Sequence, residues 1–315
     1  MIDLSLYRIA VLVPCYNEEI TIPSIVRDFR TYLPSAEIYV FDNNSSDNSL
    51  SVAREAGAIV REVFLQGKGN VIRRMFADIE ADIYIMVDGD DTYDASAAPA
   101  LAQRLVASGL DMLVGSRVSE EKEAYRLGHR FGNRVLTQFV ATIFGRTFKD
   151  MLSGYRVFSR RYVKSFPAHS LGFEIETELT VHALELRMPV AEIETCYKSR
   201  PEGSESKLST YRDGLKIFRM IFTLFKTEKP LLFFSIGAFL SIVVSVCLAI
   251  PLILTYLETG LVPRFPTAFL CASLVLLGVV LLTCGIILDT VTKGRMETKR
   301  MAYLAVPAIA SKLGK

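Results

Sequence analysis

Two stretches without a charged residue, 231–257 and 265–288, constrain this chain more than any other feature. Each exceeds the roughly 20 apolar residues that a helix needs to cross a bilayer. Only residues 258–264 separate them, so the pair is expected to form a hairpin whose outer ends share one side of the membrane. Lys226, Lys229, Lys293, Arg295, Lys299 and Arg300 flank those ends, against Arg264 alone in the hairpin loop. That asymmetry predicts cytoplasmic ends. Neither run carries the ionisable side chains that mark substrate or ion pathways, so the hairpin reads as an anchor.

The preceding region has a different rhythm. Short β-branched runs at 8–14, 37–41, 58–63, 82–87 and 111–115 alternate with helical periodicity at 19–33, 46–56, 69–80 and 95–108. This is the βαβα pattern of a mostly parallel sheet covered on both faces. Further helices are expected at 127–144 and 173–187, and a late strand at 190–198. After the polar loop at 202–206, residues 208–225 interleave Arg212, Lys216 and Arg219 with Leu215, Phe218, Ile221 and Phe222, as in a helix lying along a membrane surface.

A net charge of +2 gives no basic field of the kind nucleic-acid binding requires, so no nucleic-acid partner is expected. Cys15, Cys196, Cys247, Cys271 and Cys284 lack metal-site spacing and read as reduced, buried residues. The N-terminus lacks a charged segment followed by an apolar one, which predicts that the soluble part stays in the cytosol.

Ligands of an open parallel sheet bind beyond the carboxyl ends of its strands. Four polar turns fall there: Pro14-Cys15-Tyr16-Asn17-Glu18-Glu19, Asp42-Asn43-Asn44-Ser45-Ser46-Asp47, Asp88-Gly89-Asp90-Asp91-Thr92-Tyr93-Asp94 and Gly115-Ser116-Arg117. No GxGxxG or complete P-loop follows the first strand, which argues against a dehydrogenase or an ordinary ATPase. Asp88 and Asp90 end an apolar run, and two carboxylates so spaced can share a hard cation with the oxygens of a substrate diphosphate. Taken alone the acidic turn reads first as a solvated one, and the neighbouring turns reverse that.

Together, the Pro-x-Tyr-Asn-Glu turn, the Asp42 turn, Asp-x-Asp and Gly-Ser-Arg resemble the inverting family-2 glycosyltransferases of GT-A fold. Arg126, Asn133, Asp150, Ser153-Gly154-Tyr155-Arg156, Phe173-Glu174-Ile175-Glu176, Arg200 and Ser206-Lys207-Leu208 follow in the order seen in the dolichyl-phosphate mannose synthases and bacterial polyprenyl-phosphate transferases. The resemblance covers roughly 8–220. It implies a Rossmann-like GT-A domain over 1–207; with the apolar and amphipathic patterns above, the expected layout continues as an amphipathic juxtamembrane helix over 208–228, a transmembrane hairpin over 229–290, which resembles that of the bacterial members, and a cytoplasmic tail over 291–315. Pro14, Tyr16, Glu18, Asp42 and Asn43 are then expected to line the base and ribose pocket, with Lys68 near the nucleotide. Asp88 and Asp90 are expected to hold Mg2+ or Mn2+, and Arg117, Arg126, Arg200 and Lys207 to surround the donor diphosphate and acceptor phosphate. Asp88, Asp90, Arg117 and Arg126 form the expected catalytic set. Thr92 stands where some relatives have a Gln that completes the metal shell, and Asn43 where a second Asp is common.

The implied reaction moves a sugar from a nucleotide-sugar, UDP by resemblance to bacterial relatives, to a polyprenyl phosphate for cell-envelope glycan modification. The implied setting is the inner membrane, with the catalytic domain and both termini cytoplasmic and the chain a homo-oligomer. A phosphate acceptor is already largely anionic at neutral pH and needs no general base, which suits a chain whose His129, His169 and His182 have no catalytic setting in the sequence. The alternatives are transfer to a saccharide, or a membrane-tethered nucleotide-sugar sensor without turnover. Polysaccharide synthases carry a Gln-x-x-Arg-Trp motif, and this chain has no tryptophan.

Overall fold

A computed structural model of the 315-residue chain describes residues 2–118, 137–143, 145, 148–170, 172, 174–201 and 210–309, with side chains omitted over 210–218. It divides into two compact units, Met1–Ile217 with Thr298–Lys315, and Phe218–Glu297.

The first unit is built on a seven-stranded sheet: β1 (Ile9–Cys15), β2 (Glu37–Asp42), β3 (Ile59–Glu62), β4 (Ile83–Met86), β5 (Met112–Val118), β6 (Arg156–Ser159) and β7 (Val190–Cys196), in the order β3-β2-β1-β4-β6-β5-β7. β1 pairs in parallel with both β2 and β4. The chain therefore winds outward from β1 to β3 and returns to β4 on the other side of β1. That reversal opens a crevice at the carboxyl ends of β1 and β4, where α/β sheets bind ligands. Helix Ile22–Tyr32 buries Ile22, Ile25, Val26 and Phe29, the apolar stripe that its periodicity predicts. Helices Lys68–Asp78 and Ala98–Ala107 bury their own stripes in the same way.

The five early strands, the late strand and the four crossover helices lie where the periodicity puts them, within a few residues. Of the helix expected at 127–144, residues 137–143 are helical, and most of the remainder lies outside the described residues. Two elements depart from the sequence reading. β6 runs antiparallel between β4 and β5, and helix Arg160–Ser165 follows it. All four residues of β6 are buried, beginning with Arg156. A strand buried on both faces shows no alternation, and one opening on an arginine does not read as apolar. The cysteines are all free, but Cys196 and Cys247 are exposed rather than buried. Cys196 ends the edge strand β7, and Cys247 lies on an apolar helix whose surface is largely uncovered.

Lys299, Tyr303 and Ile309 pack into the first unit. Lys299 Nζ pairs with the buried Glu185 carboxylate at 2.6 Å. The Tyr303 hydroxyl donates to Asp111 at 2.7 Å, and the Arg161 guanidinium lies 4.6 Å from the Tyr303 ring. Asp111 also takes a two-pronged bond from Arg161, while Ile309 joins the core of β1, β2 and β4.

Helices Pro230–Thr259 and Phe265–Leu304, which supply most of the second unit, are long and apolar enough to cross a membrane. Gly260, at φ +66°, ends the first helix with its amide on the Tyr256 carbonyl, a left-handed cap that favours glycine. A Cβ on Gly278 would meet Ile242 at 3.0 Å, and one on Gly285 would meet Phe234 at 3.1 Å. Small residues let the two helices approach closely. Ser245 donates across the hairpin to the Cys271 carbonyl.

His182 sits in the first unit against Tyr162 and Phe166, 3.1 Å from Ser165 Oγ. Burial, aided by the Lys299 charge, pushes its imidazole down to about 3. The unfolded chain binds that proton near pH 6.5. His182 therefore costs nothing above that pH and destabilises the fold increasingly as the pH falls toward 3. Between pH 7 and pH 5 the parent should lose about 2 kcal/mol more unfolding free energy than a His182→Phe variant, as measured by urea unfolding in detergent.

Candidate active site

The turns after β1 and β2 are locked together. The Asn17 amide donates to Ser45 Oγ at 2.9 Å, Ser46 N donates to Asn17 Oδ1 at 2.8 Å, and Glu18 N donates to Ser49 Oγ at 2.7 Å. Glu19 accepts from Asn48 N. Asn17, Asn44 and Asp91, one in each of three turns, adopt positive φ. Thr21 Oγ1 donates to the Gly89 carbonyl and Ser24 Oγ to Asp91 Oδ2, both at 2.5 Å, which ties the Asp88 turn to the start of helix Ile22–Tyr32.

Within that frame Asp42 is buried, with Oδ2 accepting from Ser45 N at 3.0 Å. Its Oδ1 is buried and has no hydrogen-bond partner among the described residues. Asn43 does something other than face a ligand. Its amide donates to the Val63 and Leu65 carbonyls and its oxygen accepts from Gly67 N, so it fixes the loop that delivers Lys68. Tyr16 is partly exposed at the rim. Pro14 lies beneath the Asp88 turn, its carbonyl 3.0 Å from where a Cβ on Gly89 would stand.

Asp88 and Asp90 each meet a different cation. Lys68 Nζ lies 2.6 Å from Asp88 Oδ1 and also pairs with Glu176. Burial works against that ammonium, but Asp88 and Glu176 together outweigh it and hold the Lys68 pKa above the usual lysine value. Asp90 is buried, accepting from Thr92 Oγ1 at 2.7 Å and from Arg200 at 2.6 Å. Burial, and then the neighbouring Asp88 charge, raise the Asp90 carboxyl above the ordinary range in spite of Thr92, Arg200 and Lys68. Arg200 arrives there because the chain after β7 runs along the Asp88 turn, with Tyr197 bridged to Tyr93 and Lys198 N donating to the Thr92 carbonyl. Arg117 forms a two-pronged pair with Asp150, at 2.6 and 2.8 Å, and lies over the Tyr197 ring. Arg126 and Lys207 lie outside the described residues.

Two neighbouring carboxylates in one turn make an oxygen donor set suited to a hard divalent cation. Among the described residues no three His, Cys, Asp or Glu side chains gather into an all-protein metal cage. A cation held at Asp88 and Asp90 could share its remaining positions with substrate phosphate and water.

Residues 10–166 match Glycosyl transferase family 2. The sequence is 32% identical to Glycosyltransferase AglJ of Haloferax volcanii over 94% of this chain and 98% of that protein. The chain belongs to glycosyl transferase family 2. A dolichyl-phosphate hexose transferase of the same organism is 26% identical over 68% of this chain and 92% of its own length. A structure of glucosyl-3-phosphoglycerate synthase from Mycobacterium tuberculosis, in complex with Mn2+, UDP-glucose and phosphoglyceric acid, superposes with a TM-score of 0.57 at 21% identity, covering 70% of this chain and 80% of that one. The family, the GT-A fold and the glycosyltransferase class expected from the motifs are thereby borne out.

Glu176 and Gly154 belong to this cleft and have no role assigned from sequence. Both stand in segments that carried the family resemblance, Phe173-Glu174-Ile175-Glu176 and Ser153-Gly154-Tyr155-Arg156. Glu176 opens helix Ile175–Glu185, where an acidic residue also reads as an ordinary partner of the helix dipole.

The ion pair that Lys68 makes with Glu176 is buried, with side chains 11% and 5% exposed. Lys68→Met leaves that carboxylate without its cation and should destabilise the protein by about 3–5 kcal/mol. Adding Glu176→Leu should recover a large part of the loss in thermal unfolding.

Proposed function

We propose that this glycosyltransferase transfers a sugar, with inversion, from a UDP-linked donor to a polyprenyl phosphate. The observation that carries this reading is the Asp88–Asp90 turn at the sheet's switch point, each carboxylate facing its own basic side chain, in a chain with two membrane-length helices. Its similarity to a dolichyl-phosphate hexose transferase supports the acceptor class. The UDP-glucose and Mn2+ bound by the structural neighbour support the donor and metal classes.

Asp88 and Asp90 would hold Mg2+ or Mn2+, which when bound supplies positive charge to the nucleoside diphosphate as it leaves. Asp42 Oδ1 offers a buried acceptor to the base or ribose, with Pro14, Tyr16 and Glu18 around it and Asn43 bracing the loop below. Lys68 and Arg200, already against the two carboxylates, counter the diphosphate charge. Arg117, Arg126 and Lys207 orient the acceptor phosphate, where guanidinium forks suit anionic oxygens. A phosphate oxygen then attacks the anomeric carbon, and the bonding pair of the old glycosidic bond departs with the nucleotide. The acceptor is already an anion, so no side chain has to remove a proton. His182, buried and held neutral near neutral pH, is not placed to do so.

In this reading the hairpin sits in the cell inner membrane with the catalytic domain and both termini cytoplasmic. Helix Thr210–Glu228 is the interfacial segment, and the chain assembles as a homo-oligomer. In a cysteine-free background, Leu261→Cys should react with an impermeant maleimide from the periplasmic side, while a cysteine at Lys293 should react only after lysis. The reverse pattern rejects the orientation.

Purified protein given Mn2+, labelled UDP-sugars and a polyprenyl phosphate should yield a labelled lipid, and Asp90→Ala should lower the rate at least 100-fold. Labelling of saccharide acceptors alone overturns the lipid-phosphate reading.

A further inference from the structure

Asp88 is wedged between two things. On one side Lys68 takes Oδ1. On the other is the backbone of Gly154, so near that a Cβ built there would overlap Oδ2, Cγ and Oδ1 of the Asp88 carboxylate. Gly154 does not have the positive φ that makes glycine necessary at several turns of this chain. A side chain here would have to push the Asp88 carboxylate out of its place, and that carboxylate belongs to the proposed metal site.

The loop that carries Gly154 is held from several directions. Gly154 N donates to the Tyr93 hydroxyl at 2.9 Å, and Tyr93 is a buried residue of the same turn as Asp88. The Tyr93 ring is itself packed against Tyr155 and Tyr197, with centroids 5.4 and 5.3 Å away. Ser153 Oγ donates to the Gly115 carbonyl at 2.6 Å. From below, the fully buried Arg156 guanidinium donates to the Met151 and Ser153 carbonyls. A buried guanidinium with carbonyl and hydroxyl partners is an expensive way to brace a loop. Its bonds converge on the stretch whose position limits where Asp88 can turn.

We propose that Gly154, pegged by the Tyr93 hydroxyl, is a positioning residue for Asp88: its backbone forms a wall that fixes the carboxylate orientation in which Asp88 and Asp90 receive a divalent cation together. Asp90 needs no such wall, because Thr92 and Arg200 already occupy its two oxygens. Gly154 and Tyr93 touch neither sugar nor phosphate in this scheme and act only through Asp88. The proposal rests on the reading of Asp88 and Asp90 as the metal–diphosphate site.

The test is Mn2+ titration of the full-length protein in detergent with UDP present, with bound ion read by electron paramagnetic resonance, for the parent, Gly154→Ala, Tyr93→Phe and Asp90→Ala. Gly154→Ala should weaken Mn2+ binding at least tenfold. Tyr93→Phe, which removes one hydroxyl, should weaken it severalfold with its melting temperature near that of the parent. The Mn2+ concentration giving half-maximal transfer should rise in step for both. Parent-like Mn2+ affinity in folded Gly154→Ala overturns the wall, and if that variant does not fold, parent-like affinity in Tyr93→Phe does so. Should Asp90→Ala also bind Mn2+ like the parent, the metal-site reading itself is the one that fails.

Discussion

Lys68 carries a positive charge into a nearly closed space, and a charge there requires partners. Its buried pairs include Asp88 from the turn after β4 and Glu176 from the start of helix Ile175–Glu185. One ammonium thereby joins the first residue of a crossover helix, the switch-point turn and an element from late in the chain. Asn43 supplies the geometry by anchoring the Val63–Gly67 loop from which Lys68 emerges. Arg200 repeats the principle at Asp90, brought there by the chain after β7. Three carboxylates of the cleft, Asp88, Glu176 and Asp90, are in this way partly neutralised by two basic groups of the kind that a diphosphate would attract.

The other constraint is apolar. The two long helices of the second unit leave large side chains such as Phe239, Leu254 and Leu276 uncovered, which water does not tolerate over so broad a surface. Small residues on their facing sides let them pair closely. The end of the second helix, from Thr298 on, belongs to the unit with the Asp88 cleft, through Lys299 on Glu185 and Tyr303 on Asp111. What reads in sequence as a charged tail is in part a component of the first unit's packing, and one of its basic residues, Lys299, is spent on a buried pair.

Much of the architecture was legible because it is periodic. Helix Ile22–Tyr32 announces its buried face by spacing, and β1, β2 and β4 announce themselves by apolar runs that stop at polar turns. β6 is hidden in the sequence because its first residue is an arginine whose burial depends on carbonyls of its own loop. Within the cleft, Asp88 and Asp90 could be picked out by their position at a strand end. Glu176 could not, since an acidic residue in a first helical turn has an ordinary explanation. Asn43 is legible as a cleft residue but not in its role, because it shapes the pocket's loop instead of facing into the pocket. Gly154 carried no positional cue, because the reason for a glycine there is a carboxylate that lies far away in sequence.

The sequence by itself determined the two apolar spans, the alternation of strands and helices, and the acidic turn at the end of β4, because each follows from composition or period within a short window. Only the tertiary structure decided which charges meet, that Lys68 serves both Asp88 and Glu176, that Arg117 pairs with Asp150, and that Gly154 stands against Asp88. Ion pairing and steric exclusion depend on separation in space, and the long-range winding of the sheet sets that separation for residues that no local pattern connects.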